Sequence, residues 1–130
     1  MRSTKRRVFC AEDHEDTRQL LKHLLGQSDY EVEAAATIQD GLRLVQGGRF
    51  DLYLLSGRLV DGSGVELCRR IRRFDPSTPI IFYSAAAHEA DRAMGISAGA
   101  QAYIAKPGNI FELVNTITQL IDQKERALHG

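Results

Sequence analysis

Short runs of uninterrupted apolar residues recur along this chain, each followed by a stripe at helical spacing. That alternation restricts the fold more than any other feature. Val8-Phe9-Cys10-Ala11 ends abruptly at Glu12-Asp13, and Leu52 to Leu55 ends at Ser56-Gly57. Ile80-Ile81-Phe82-Tyr83 follows a turn bracketed by Pro76 and Pro79, and Ala102-Tyr103-Ile104 is a brief further run. Continuous apolar runs of this length are the mark of strands covered on both faces. Tyr30, Val32 and Ala34 instead alternate with Glu31 and Glu33, as in a half-exposed strand.

The intervening segments carry the helical period: Thr17, Leu20, Leu21, Leu24 and Leu25; Ile38, Leu42 and Val45; Val65, Cys68 and Ile71; and Ile110 to Ile121. Residues 88–98 also read as helical, but alanine-rich and short of large apolar side chains, so that helix should be weakly anchored. Five strands alternating with five helices, at roughly 20 to 25 residues per unit, predict an α/β fold. It is a doubly wound five-stranded parallel sheet with helices on both faces. In such sheets chemistry gathers at the carboxyl ends of the strands, near a topological switch point. Those ends are Glu12-Asp13, Ser56-Gly57-Arg58, Ser84-Ala85 and Lys106-Pro107.

The 130 residues suit one domain. Seventeen basic and seventeen acidic side chains cancel, so no whole-molecule field favours nucleic acid or a membrane surface. No apolar run approaches the roughly 20 residues of a membrane span, and MRSTKRR lacks the apolar stretch of a signal peptide. Cys10 and Cys68 fit no metal or redox spacing and read as buried free thiols of a reducing cytoplasm. His14, His23, His88 and His129 show no ligand spacing and read as surface residues.

AEDHEDTRQLL, DGSGVELCRRIR, PSTPIIFYSA and AGAQAYIAKP, in that order, resemble the receiver domain of bacterial two-component response regulators. The resemblance covers residues 6 to 122, leaving 1–5 as a basic arm and 123–130 as a C-terminal extension, helical or a tether. It implies the flavodoxin-like strand order 2-1-3-4-5. It also implies that Glu12 and Asp13 match the acidic pair that helps hold Mg²⁺, with the backbone carbonyl of Arg58 as a further ligand. Ser84 and Lys106 match the phosphoryl contacts, and Tyr103 the switch aromatic. The Lys106-Pro107 bond would be cis. Ser56 stands where the family has its phosphoaccepting aspartate.

An aspartate is already ionised at neutral pH, whereas a serine hydroxyl must first lose its proton to a base. The Mg²⁺ site loses an anionic ligand as well, so Mg²⁺ is expected to be weakened or lost, and no cofactor is required. The Arg58 guanidinium could fold onto Glu12 and Asp13 and take the metal's place. Val60 and the glycines 57, 62 and 64 predict a mobile loop.

These features admit a non-enzymatic, atypical receiver that signals by protein contact. Its partner would be a sensor histidine kinase or a downstream signalling protein, docked through the face of the fourth helix, fifth strand and fifth helix. No direct nucleic-acid contact is expected; a homodimer is open. Alternatives are a phosphoryl-handling domain using Ser56, or an ordinary regulator whose aspartate was exchanged for serine. Plainer readings stand beside these roles. Glu12-Asp13 would serve as a helix N-terminus, Ser56 as a strand-ending serine, and Ser84 as a small residue. Tyr103 would be a sheet residue whose hydroxyl reaches water, Lys106 a partner of Asp13, and the arginines 69–73 a solvated face.

Overall fold

The computed structural model describes residues 5–106 and 110–129. Pro107, and with it the geometry of the Lys106-Pro107 bond, lies outside the described residues, as do residues 1–4 of the basic arm. The elements run β1 (Arg6–Ala11), α1 (Glu15–Gln27), β2 (Tyr30–Ala35), α2 (Ile38–Gly47), β3 (Leu52–Leu55), β4 (Arg58–Leu59), β5 (Gly62–Ser63), α3 (Gly64–Arg72), β6 (Ile80–Ser84), α4 (Glu89–Ala98), β7 (Ala102–Ala105) and α5 (Ile110–His129).

Five of these strands form one parallel sheet in the order β2-β1-β3-β6-β7. Since β6 and β7 are the fourth and fifth strands of that sheet, this is the expected 2-1-3-4-5 order. The pleat explains why the central strands look continuously apolar. Phe9, Leu55 and Phe82 pack with α2, α3 and the end of α4, while Cys10, Leu54 and Ile81 pack with α1 and α5. Successive side chains thus enter opposite cores, and neither can be polar. Burial pushes the Cys10 thiol up to about 12, with the Glu12 carboxylate adding to it, and raises the Cys68 thiol as well, so neither is a thiolate near neutrality.

Two expectations need correction. The glycine-rich loop after β3 is tied down rather than free. β4 and β5 pair antiparallel, with Arg58 opposite Ser63 and Leu59 opposite Gly62. Leu59 is buried, the Val60 amide donates to the Ala36 carbonyl at 3.1 Å, and Asp61 accepts from the Ile38 and Gln39 amides. The arginine face is also not uniformly solvated. Arg72 turns inward to the carbonyl of Gly99 at 2.9 Å and to that of Asp75, fastening α3 to the turn after α4. The expected weakness of α4 is seen in its burial: within it only Gly95 and Ala98 are buried, and Met94 and Ile96 are about half exposed. Residues 123–129 continue α5 without a break, and an ion pair joins Glu125 to Arg6 of β1.

Asp75 closes the turn before β6. It accepts from the Tyr53 hydroxyl at 2.7 Å and from the Ser77 and Thr78 amides. Partial burial opposes its ionisation, but hydrogen bonds from Thr78, Tyr53 and Ser77 outweigh that and hold its carboxyl at about 2. The folded value lies below the unfolded one of about 3.9, so the contribution is complete above that pH and fades as pH falls towards 2. Asp75→Asn is therefore expected to flatten the decline of the urea midpoint between about pH 4 and pH 2. Equal pH slopes for the two proteins would refute this.

Candidate functional site

The carboxyl ends of β1, β3, β6 and β7 converge because the strands are in parallel register. The Ser56 amide donates to the Ala11 carbonyl at 2.8 Å, and the Lys106 amide to the Ser84 carbonyl at 2.9 Å. Two close approaches complete the floor. A Cβ on Gly57 would collide with the Ser84 hydroxyl, and one on Gly64 would overlap the Ser56 carbonyl, so both positions require glycine.

Glu12 is almost fully buried, yet both of its oxygens are engaged. Oε1 forms an ion pair with Lys106 Nζ, and Oε2 accepts the His14 amide at 3.0 Å. Lys106 thus pairs with Glu12, not with Asp13 as the sequence suggested. The physical reason is depth. Glu12 continues the inward-facing positions of β1 (Val8 and Cys10), whereas Asp13 sits in the turn with its side chain about one-fifth exposed. Asp13 Oδ1 lies 3.0 Å from His14 Nδ1. Burial works against its ionisation, but hydrogen bonding with Glu12 and His14 outweighs it and holds the Asp13 carboxyl below the ordinary range.

Among the described residues Arg58 makes no ion pair; it is exposed on β4, where the pairing with Ser63 directs its backbone. The cation that reaches the acidic turn is Arg18 of α1, whose guanidinium donates to the carbonyls of Glu12 at 2.8 Å and Asp13 at 3.2 Å. Sequence reasoning missed Arg18 and His14. The available signal was position: Arg18 stands one helical turn beyond His14, at the spacing that folds a long side chain back over a helix start. His14 is exposed, as expected, but not without partners.

Ser56 is about nine-tenths buried. Its hydroxyl is not fully occluded and makes no hydrogen bond among the described residues. Strand alternation puts it on the pleat face of Leu52 and Leu54, the same face as Val8, Cys10 and Glu12. Ser84 is buried on the other face, and its hydroxyl accepts the Ala86 amide at 3.2 Å. Tyr103 does not send its hydroxyl to water. That group donates to the Ala86 carbonyl, while the ring stacks on Phe82 with centroids 5.5 Å apart and lies beneath the Arg92 guanidinium. The backbone from Ser84 to Ala86 therefore links the hydroxyl site to the aromatic.

Comparison with known proteins accords with this arrangement. A family profile described as the response regulator receiver domain matches residues 8–118. The nisin biosynthesis regulatory protein NisR of Lactococcus lactis subsp. lactis is 35% identical over 124 residues, 95% of this chain and 54% of that protein. The transcriptional regulatory protein DltR of Streptococcus agalactiae is 34% identical over 85% of this chain and 50% of its own length. The chain thus spans about half the length of the curated relatives it matches. Among solved structures, a CheY-like receiver domain protein from Methanospirillum hungatei superposes with a TM-score of 0.91 at 30% identity, covering 95% of this chain and 99% of that one. The non-phosphorylated HemR receiver domain of Leptospira biflexa gives 0.84 at 34% identity, over 90% and 94%. With its sheet order, its convergent strand ends and this coverage, the chain belongs to the response regulator receiver family of two-component signalling.

Proposed function

We propose that this receiver is an atypical one, which signals through protein contacts without aspartyl phosphorylation. The observation that carries the reading is the state of the pocket. Ser56, at the place of the acceptor, offers a neutral hydroxyl, and Lys106 is already committed to Glu12. A phosphoryl group arriving here would meet no carboxylate nucleophile and would compete with Glu12 for the lysine.

The family implies a Mg²⁺ ion, and the residues present do not fit one well. Mg²⁺ requires near-octahedral oxygen coordination. Glu12 has both oxygens engaged, Ser56 brings no charge, and an imidazole stands beside Asp13. No step of the proposed function passes through that ion.

Receivers of two-component systems work with histidine kinases and other proteins. For this chain the α4-β7-α5 face is the proposed docking surface. The half-exposed Met94 and Ile96 lie on a helix with few buried anchors, and Tyr103 connects that face to the Ser84 turn. No helix of the described residues is long and apolar enough to cross a membrane, and the proposed location is the cytoplasm.

The test is incubation with acetyl phosphate and Mg²⁺, followed by intact-mass measurement. The natural chain is expected to gain nothing, and Ser56→Asp to gain one phosphoryl group with a shifted amide spectrum. A phosphoryl gained by the natural chain and lost in Ser56→Ala would overturn the reading and make Ser56 the acceptor.

A further inference from the structure

The amino end of the sheet, opposite the convergent strand ends, carries a concave surface of its own. A cleft of about 850 Å³ opens there beside the starts of β1 and β3. It is bordered by the segment ahead of β3, by Phe74 and Ser77 after α3, and by Lys124 and Leu128 of α5. Contacts across it fix its shape. Glu125 pairs with Arg6, Lys124 Nζ donates to the Ser77 hydroxyl at 3.2 Å, and the Asp75 carboxylate holds its turn through Tyr53 and two amides. The Arg7 guanidinium packs over the Phe50 ring at 4.5 Å and donates to the Arg49 carbonyl. A cleft braced in this way is largely preformed.

Its charges are unevenly matched. Five basic and three acidic side chains line it, in a chain whose total is zero. Each acid is already engaged: Glu125 by Arg6, Asp51 by the Arg7 amide at 2.8 Å, and Asp75 within its turn. Arg7 is taken in turn by Glu31 and Glu33. Arg49 and Lys124 differ, since neither forms an ion pair among the described residues, and Arg49 is exposed. Arg73, the exposed neighbour of Phe74 in sequence, forms none either. A second observation is independent of charge. Phe74 is 45% and Leu128 70% exposed, two large apolar side chains on one cleft. An exposed aromatic beside arginine is the composition of an interface core.

We propose that this cleft docks an acidic peptide segment of a partner protein. An aromatic or aliphatic side chain of that segment sits against Phe74 and Leu128, and its carboxylates meet Arg49 and Lys124. The unpaired cations come from three elements, so they suit several carboxylates along one chain better than a single small anion. A long polyanion fits less well. Glu31 and Glu33 stand beside Arg7, and Asp29 beside Lys5, where they would repel its flanks. The surface is at the other end of the sheet from Ser56, so the proposal does not depend on the fate of the acceptor.

The isotope-labelled protein is titrated at low salt with the capped peptide Ac-EEFEELEE-NH2. Controls are the analogue with alanine at both apolar positions, and oligothymidylate. Saturable amide shifts are expected at 49–51, 73–78 and 124–128. Arg49→Gln and Lys124→Gln should each weaken binding about three- to fivefold, and Phe74→Ser about tenfold. Arg43→Gln, which removes a guanidinium already paired with Asp40, should change it little. An amide spectrum unchanged away from the substitution shows that each variant is folded. Absent or scattered shifts, equal binding of the alanine analogue, or cleft variants that bind as the natural chain does would overturn the proposal. Tighter binding of oligothymidylate would overturn it in favour of nucleic acid. Each of these results leaves the proposed function standing, because its test is read at Ser56.

Discussion

Phe82→Ala is expected to destabilise the protein by about 3 to 5 kcal/mol, lowering the melting temperature by roughly 10 to 20 °C. The ring is completely buried on β6 and stacks on Tyr103. Its other neighbours cannot close the hole that alanine would leave. Gly64 and Gly95 approach so near that a Cβ on either would stand 3.0 Å from the ring. Glycines have no side chain to swing inward, and the backbones around them are held in the sheet and helices. The cost should therefore lie towards the upper part of the range for aromatic truncation. A urea titration showing a loss under about 1.5 kcal/mol would mean that the site collapses and the packing argument is wrong.

The second large effect concerns the pocket. Lys106→Met is expected to cost about 3 kcal/mol, because it leaves a buried carboxylate without its counter-ion. The figure is placed at the low end because the Lys106 side chain remains about one-fifth exposed. Glu12→Gln in the Lys106→Met background should recover part of this loss, since a neutral amide tolerates the burial that a lone charge does not. In a double-mutant cycle at pH 7 the coupling should fall between about 1 and 3 kcal/mol. Strictly additive losses would show that the two side chains act independently and that Lys106 is free to serve another ligand.

The fold was largely legible because both of its periods are carried by side chains. A continuous run such as Leu52 to Leu55 has no polar residue because each pleat face meets a separate helical layer. The elements β4 and β5 were not legible. Two-residue strands have no period, and their order comes from contacts with Ala36, Ile38 and Gln39, far away in sequence. At the candidate site, Glu12, Asp13, Ser56, Ser84 and Lys106 were named from strand ends and family order, and the structure places them at the carboxyl end of the sheet. Their pairing was not found, because whether Lys106 meets Glu12 or Asp13 depends on which side of the turn each faces. The fold-back of Arg58 onto the acidic turn was not found either, since formal charge says nothing of where a side chain stands, and Arg58 is exposed on β4, opposite Ser63. Arg18 and His14 lie at a helix start, where His14 read as a surface residue and Arg18 was given no role, and their contacts exist only once β1 and α1 meet.

The backbone of Ser56 is clasped on one side by Ala11 and on the other by Gly64, yet among the described residues its hydroxyl makes no hydrogen bond. Shape and chemistry are thereby uncoupled at this one residue. The group at position 56 can therefore be exchanged for one of similar size without rebuilding the scaffold, and the rest of the sheet end keeps its form.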